Sequence, residues 1–228
     1  MNSLILTLDA GAGCCLPIAY QQLTQGALYA AWRGSYPQLH DEGFAGDGQT
    51  FRLFTFGPLE GRYRVQSNEI TFTGLVQLEV RSPVEDLLYA LGKSLTGAGA
   101  LRLGRCVLPL RDLHSEDHYW FAAPLPVRMV SPLTLHKSLP GGKTLFLRPD
   151  DDAFAAQLIA NTAHKLAACR STADPSVTLC PMGTRLPRKR VTQFKGIYLT
   201  GLDGDVLLDG NPETLCLLYQ TGVGDRKG

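Results

Sequence analysis

Three side chains in the first quarter of the chain could together perform acid–base chemistry on a phosphate. Tyr29 lies on a helix predicted to begin near residue 16, His40 heads the loop that follows, and Arg52 lies on a strand predicted over residues 51–56. An imidazole exchanges protons near neutral pH, and a phenol or guanidinium can orient or neutralise a phosphate. Loops on a rigid scaffold often carry catalytic groups. By residue chemistry alone, however, a helix-end histidine, a core tyrosine and a surface arginine are the simpler reading.

The densest positive charge lies near the C-terminal end of the sequence. Its members are Arg185, Arg188, Lys189, Arg190 and Lys195, and they lie at the start of a strand predicted over residues 191–199. Such residues would contact phosphates and provide affinity without reading bases. The net charge of the chain is only +1, so nucleic-acid binding would depend on this local cluster. A solvated basic loop is the alternative reading of the same run.

A glycine-rich segment, residues 221–228, directly follows the last predicted helix. The backbone N–H groups of Gly222 and Gly224, together with Arg226 and Lys227, could hold a phosphate. The spacing is not that of a P-loop, whose lysine precedes a serine or threonine at the start of a helix. The simpler reading is that the glycines end the helix.

The other histidines are weaker candidates. His136 heads one His-x-Ser sequence. RNA phosphodiesterases and ligases whose fold is related to the one predicted below use two such motifs, and this chain has no second copy. His164 is predicted to be a surface or boundary residue of a long helix. His114 and His118 lie in a polar stretch predicted to be a solvated loop rather than a metal site. With no C-x-x-C pair either, we expect neither a metal nor an organic cofactor.

The elements that must position these residues fall into two similar halves. Each half has a strand followed by a longer helix, and later a strand followed by a helix with a capped proline start and a Leu-Leu-Tyr sequence. The two starts are residues 82–85, where Ser82 and Glu85 would form a capping box, and residues 211–213. We therefore predict an α+β fold of two tandem ferredoxin-like β-α-β-β-α-β domains with antiparallel sheets, covering residues 1–123 and 124–228. Because capped leucine-rich helices are common, coincidence is the alternative to duplication.

Composition indicates an ordinary globular protein. The chain has 228 residues, of which 44% are hydrophobic and 19% charged. Its apolar stretches fall short of the roughly 20 residues that a membrane-spanning helix needs, and nothing resembles a signal peptide. The six cysteines are expected to be free thiols. We therefore expect a cytoplasmic protein without a membrane partner.

Taken in order, these motifs resemble the CRISPR-associated endoribonucleases that process precursor CRISPR RNA, members of the repeat-associated mysterious protein (RAMP) superfamily. The similar blocks lie at both ends of the chain and cover residues 16–20, 26–29, 39–43, 51–57, 194–199 and 222–228. Each block is moderately specific, and their order and spacing are more so. The resemblance implies two ferredoxin-like folds in tandem.

The resemblance also implies an activity. Members of this family cut repeat RNA without metal, by attack of the 2′-hydroxyl on the adjacent phosphate, leaving a 2′,3′-cyclic phosphate and a 5′-hydroxyl. In several members a tyrosine, a histidine and a lysine act together. Tyr29 and His40 match the first two, but Arg52 stands at the lysine position. Arginine binds phosphate well and donates protons poorly, so the proton donor is left unassigned.

The expected partners follow from the same resemblance. They are CRISPR repeat RNA, other CRISPR-associated proteins of an interference complex, and a second copy of the chain in a homodimer. The basic cluster and the glycine-rich segment would bind the RNA backbone. Two alternatives remain open: a non-catalytic repeat-RNA-binding subunit of the same superfamily, and a ferredoxin-like scaffold protein with no RNA role.

Overall fold

A computed structural model of the protein describes residues 1–39, 43–46, 49–118, 121–182, 188–194 and 197–225. They group into two compact units, each formed by two stretches of chain. Unit 1 comprises Met1–Gly43 and Phe56–Asp117, and unit 2 comprises Phe44–Thr55 and His118–Gly228. The sequence pattern suggested a single division after residue 123. The structure places that division at residue 117 and also assigns an inserted segment, Phe44–Thr55, to unit 2.

Regular elements cover most of the described chain. The helices are α1 (Gln21–Trp32), α2 (Glu85–Ala98), α3 (Ala153–Ala168) and α4 (Pro212–Thr221). The strands are β1 (Ser3–Asp9), β2 (Cys14–Pro17), β3 (Phe44–Gly46), β4 (Gln49–Phe51), β5 (Thr55–Phe56), β6 (Glu60–Gln66), β7 (Glu69–Arg81), β8 (Ala100–Leu103), β9 (Cys106–Glu116), β10 (Leu125–Arg128), β11 (His136–Leu139), β12 (Lys143–Phe146), β13 (Val177–Pro181), β14 (Arg188–Phe194), β15 (Ile197–Asp203) and β16 (Asp205–Gly210).

Unit 1 is built on an antiparallel sheet in which β1 lies between β7 and β9, and β6 pairs with the other side of β7. Alternate residues of β1 face the core, as the period of a half-buried strand requires. These residues pair directly with the buried residues of β7, in the register Leu4↔Val80, Leu6↔Leu78 and Leu8↔Val76. The elements β1, α1, β6, β7, α2 and β9 thus follow the β-α-β-β-α-β order of a ferredoxin-like domain.

Two helices cover this sheet. Leu87, Leu88 and Leu91 of α2 are fully buried, as the leucine spacing predicts. Trp32 of α1 is also fully buried, and its indole N–H donates to the backbone oxygen of Leu87 over 2.7 Å. Because the indole hydrogen bond is satisfied inside the core, α1 is anchored on α2 at its C-terminal end.

Unit 2 repeats the first five elements of this topology. Its strands β10, β16 and β13 form an antiparallel sheet with β16 in the centre, and α3 and α4 occupy the positions that α1 and α2 hold in unit 1. The core is a cluster of buried side chains from strands and helices: Leu133, Leu135, Leu147, Phe154, Leu158, Val177, Leu202, Leu208, Leu215 and Leu218. Both units are ferredoxin-like, which confirms the predicted fold class.

The inserted segment belongs to unit 2 because its two short strands pack on α3. Strands β3 and β4 pair with each other as a hairpin and contact that helix. This placement depends on contacts between residues more than one hundred positions apart, which a local sequence pattern does not encode.

The predicted start of α4 is confirmed, and the predicted capping box of α2 is not. The Asn211 side chain accepts a hydrogen bond from the Glu213 N–H over 2.9 Å, with Pro212 in the first turn, as predicted. The predicted capping box at α2 is wrong, because Ser82 accepts from the Val84 N–H over 3.0 Å and the helix begins only at Glu85.

The predicted start of the first helix near residue 16 is also wrong, because residues 14–17 form β2. This segment pairs with β7 in the register Leu16↔Ile70, so its backbone is hydrogen-bonded as a strand. Within the part of the chain that the structure describes, no helix is long and apolar enough to cross a membrane.

Candidate active site and RNA-binding surface

The structure describes two of the three predicted catalytic residues. Tyr29 lies in the last turns of α1, where it is half-buried and its ring centroid is 6.4 Å from that of Trp32. The anchored Trp32 therefore fixes the part of the helix that carries Tyr29. His40 lies outside the described residues. Tyr29 belongs to unit 1 and Arg52 to unit 2.

Arg52 does not lie on a strand, and the strand predicted over residues 51–56 is wrong at its centre. Strand β4 ends at Phe51, and β5 begins at Thr55. Between them Leu53 and Phe54 are both buried, although neighbouring side chains of a strand point to opposite faces. Leu53 has a φ of +46°, which is incompatible with a continuous strand. Arg52 therefore lies outside the strands, and its side chain is among those that line a cleft.

The cleft lies within unit 2 and has a volume of about 490 Å³. Its walls come from four parts of the chain that are distant in sequence: the β4 end, β11, one face of α3 and the end of the glycine-rich segment. The lining is Thr50, Phe51, Arg52, His136, Lys137, Ser138, Gln157, Asn161, His164 and Asp225. Two cationic side chains, two imidazoles and one carboxylate thus share one polar cavity, a combination suited to binding an anion and transferring protons.

His136 and Asp225 form a hydrogen-bonded pair in this cleft. The Asp225 Oδ2 atom lies 2.5 Å from His136 Nδ1 and accepts from the His136 backbone N–H over 2.7 Å. The Asp225 side chain is 10% exposed and that of His136 is 25% exposed. A carboxylate at Nδ1 orients the ring and favours a proton on that nitrogen. Nε2 is then the ring nitrogen left to exchange protons with a ligand.

The glycine-rich segment is held against α3 by two buried polar side chains. The Lys165 Nζ atom donates to the carbonyl oxygens of Gly222 and Gly224, each over 2.7 Å. Asn161 Nδ2 donates to the carbonyl oxygens of Val223 and Gly224, over 3.3 and 3.2 Å. The carbonyl groups of this segment therefore point into the unit, and these contacts fix the chain just before Asp225.

The other side of the same segment packs closely on the strand-like residues before β11. The Asp225 N–H donates to the Thr134 carbonyl over 2.9 Å. A Cβ atom on Gly224 would lie 2.7 Å from that carbonyl oxygen, so only glycine fits there. Since the Asp225 N–H is used internally, a phosphate cradle built from Gly222 and Gly224 would draw on the remaining N–H groups, and that cradle stays a prediction.

Lys165 is unusual in being a buried lysine, with 3% of its surface exposed. Burial lowers the pKa of its ammonium group to about 7, and the negative charge of Asp225 partly opposes that shift. Lys165 therefore holds the stretch of backbone that directly precedes the carboxylate bonded to His136.

Comparison of the sequence with protein families gives a match over the second half of the chain. A family model described as CRISPR associated protein Cas6, C-terminal, matches residues 120–228. The second half of the chain is therefore similar to the C-terminal part of CRISPR-associated Cas6 proteins. The match spans β10–β16, α3, α4 and the glycine-rich segment, and thus most of the cleft. No curated protein sequence matches the chain.

Several solved structures share the fold of this chain over nearly its whole length. A Cas6-related protein from Pyrococcus furiosus has a TM-score of 0.81 at 13% identity, with 98% of this chain and 93% of that chain covered. A RAMP protein described as binding different RNA substrates has a TM-score of 0.77 at 15% identity, covering 98% and 97%. A product complex of a Thermus thermophilus Cas6 has a TM-score of 0.67 at 18% identity, covering 99% and 95%.

The predicted basic strand is a hairpin in the structure. Arg188, Lys189 and Arg190 are exposed residues of β14, which turns back and pairs with β15 in the register Arg188↔Asp203. Arg190 Nη1 donates to Asp203 Oδ2 over 2.8 Å. The single strand predicted over residues 191–199 is therefore wrong. The other predicted RNA-binding cations, Arg185, Lys195, Arg226 and Lys227, lie outside the described residues.

Sequence reasoning missed the His136–Asp225 pair and the role of Lys165. His136 was set aside for lack of a second His-x-Ser sequence, although chemistry requires proximity in space and not repetition of a motif. Lys165 carried a usable signal, since it lies seven residues after Leu158 and so on the buried face of α3. His164, predicted to lie at a boundary, is half-buried as expected and faces the cleft.

Proposed function

We propose that this chain is a metal-independent endoribonuclease that cuts precursor CRISPR RNA within its repeats. The 2′-hydroxyl would attack the adjacent phosphate and leave a 2′,3′-cyclic phosphate and a 5′-hydroxyl. The Cas6 family match over residues 120–228 carries this proposal. The product complex described for the T. thermophilus Cas6 and the RNA binding described for the RAMP protein support it.

The proposed roles follow the chemistry of each side chain. His40 exchanges the proton of the 2′-hydroxyl as general base or acid, and Tyr29 orients the hydroxyl or the phosphate. Arg52 neutralises the charge that develops on the phosphate oxygens, which a guanidinium does with two parallel hydrogen bonds. The polar cleft beside Arg52 supports this electrostatic role.

Repeat RNA incubated with the protein in excess EDTA should be cut at one position within the repeat. The substrate is an RNA oligonucleotide with the repeat sequence from the CRISPR array of the same genome. Products should carry a 2′,3′-cyclic phosphate and a 5′-hydroxyl by mass spectrometry, because no water or metal takes part in the transfer. An RNA with 2′-deoxyribose at the cut position should remain intact, since it lacks the nucleophile.

The same experiment separates the enzyme from its closest alternative. Retention of the repeat RNA without any cleavage would indicate a non-catalytic RNA-binding subunit of the superfamily. A lack of RNA binding even at low salt, where phosphate contacts are strongest, would indicate a scaffold protein instead.

The exposed end of the β14–β15 hairpin, residues Arg188 and Lys189, is proposed to contact the RNA backbone. Replacing both with glutamine should weaken RNA binding for every sequence and flatten the dependence of log Kd on log salt by about 0.7 for each lost phosphate contact. Binding of 2′-deoxy-blocked repeat RNA, measured at several salt concentrations, checks this.

Arg190 provides the matched control in the same strand. Because its guanidinium already donates to Asp203, an Arg190→Gln variant should change the salt dependence less than the double variant does. Equal slopes for the double variant and the unaltered protein would contradict phosphate contact by this hairpin.

A further inference from the structure

The proposed reaction still lacks a proton donor for its leaving group. When the phosphate is attacked, the bond from phosphorus to the 5′-oxygen breaks, and that oxygen leaves as an alkoxide unless it receives a proton. Arg52 stands where a lysine would be expected and is a poor donor, because a guanidinium holds its protons far above neutral pH. The other side chains that share a cavity with Arg52 are therefore the candidates for this acid.

The cleft in unit 2 contains a group with the chemistry of such an acid. His136 lines the same cavity as Arg52, and its Nδ1 is bonded to the Asp225 carboxylate at 2.5 Å. The carboxylate fixes the orientation of the ring, so that Nε2 can present a proton to a bound phosphodiester. Arg52 and Lys137 in the same lining supply positive charge for the phosphate itself.

We propose that His136, held by Asp225, is the general acid of the cleavage reaction, an assignment that rests on the function proposed above. The 2′-oxygen gives its proton to a general base and forms a new bond to phosphorus. As the bond to the 5′-oxygen breaks, its electron pair stays on that oxygen, which takes the proton from Nε2 of His136. The imidazole becomes neutral and is reprotonated from solvent.

His136 fits this role better than the other titratable groups of the cleft. Lys137 is the next residue of the same strand, and its side chain is exposed to solvent. His164 approaches from α3, and Arg52 from the end of β4. Lys165 is not among the residues that line the cleft and is buried against the glycine-rich segment. Among the described residues, the His136–Asp225 pair is the imidazole–carboxylate pair that lines this cleft.

Asp225 acts through His136 and is therefore a positioning residue. Its position depends on the contacts that Lys165 and Asn161 make with the carbonyl oxygens of residues 222–224, and on its own N–H bond to Thr134. In this proposal the glycine-rich segment serves catalysis as well as RNA binding, because it positions the Asp225 carboxylate beside His136.

A substrate with sulfur in place of the 5′-bridging oxygen at the cut site tests the assignment. A thiolate leaves without being protonated, because thiols lose their proton near pH 8.5. The variant is His136→Asn, whose amide can still donate to Asp225 and so preserves the local structure. On the ordinary RNA it should cut about 10²–10⁴ times more slowly than the unaltered protein, and on the sulfur RNA at nearly the unaltered rate. An Asp225→Asn variant should show a smaller loss that sulfur also removes.

Each other outcome has a distinct meaning. An ordinary rate for His136→Asn on ordinary RNA would overturn the acid assignment and leave the proposed function intact. An equal loss on both RNAs would overturn it as well, since it would indicate a structural role for His136. If the unaltered protein cuts neither RNA in EDTA, the proposed function fails and the acid role fails with it. His114→Asn, a change at an exposed position of β9, should behave as the unaltered protein on both substrates.

Discussion

A His40→Ala variant is expected to cleave repeat RNA about 10²–10⁴ times more slowly than the unaltered protein while binding that RNA with similar affinity. Removing the imidazole removes proton transfer at the 2′-hydroxyl, but it leaves the backbone contacts that provide most of the affinity. Single-turnover rates in EDTA, together with the Kd for 2′-deoxy-blocked RNA, separate these two effects.

The matched control is His114→Ala, which removes a partly exposed imidazole from β9. It should retain the full cleavage rate, and circular dichroism should show both variants folded. Cleavage by His40→Ala at the unaltered rate would remove His40 from the mechanism. A loss of RNA binding equal to the loss of rate would mean that His40 binds substrate instead of transferring protons.

A Lys165→Met variant is expected to lower the free energy of unfolding by about 2–4 kcal/mol at pH 9. Methionine fills similar space, but it leaves the carbonyl oxygens of Gly222 and Gly224 buried without their donor. Urea unfolding followed by circular dichroism measures the change. Lys93→Met, the same substitution at an exposed position of α2, should have little effect.

The difference between the unaltered protein and Lys165→Met should grow as pH rises. Folding lowers the pKa of Lys165 from its ordinary 10.5 to about 7. Between these values the unfolded chain holds a proton that the folded protein has released, so stability increases with pH. The neutral amine still has two N–H groups for the two carbonyls. The difference should widen by about 2 kcal/mol between pH 7 and pH 9, and a constant difference would contradict a titrating Lys165.

Local sequence pattern predicted the parts of the fold that depend on neighbouring residues. The leucine spacing of α2 and the asparagine–proline start of α4 predicted a buried face and a capped helix, and both are present. The two-domain ferredoxin-like architecture was predicted from the repetition of such signals. Where the pattern failed, as at residues 14–17 and 52–54, pairing with a distant strand or a backbone bend decided the outcome.

The candidate site likewise combines residues that were predicted from the sequence with residues that only the structure brings together. Tyr29, His40 and Arg52 were selected by residue type and by resemblance, and their roles remain predictions. The sequence by itself determined that the chain would form two ferredoxin-like units with a basic segment and a glycine-rich ending. Only the tertiary structure decided that Arg52 would share a cleft with His136 and Asp225, residues separated by as many as 173 positions. This grouping depends on side-chain packing and hydrogen bonds between segments that are far apart in the sequence. Neither hydrophobic periodicity nor motif spacing predicts such contacts.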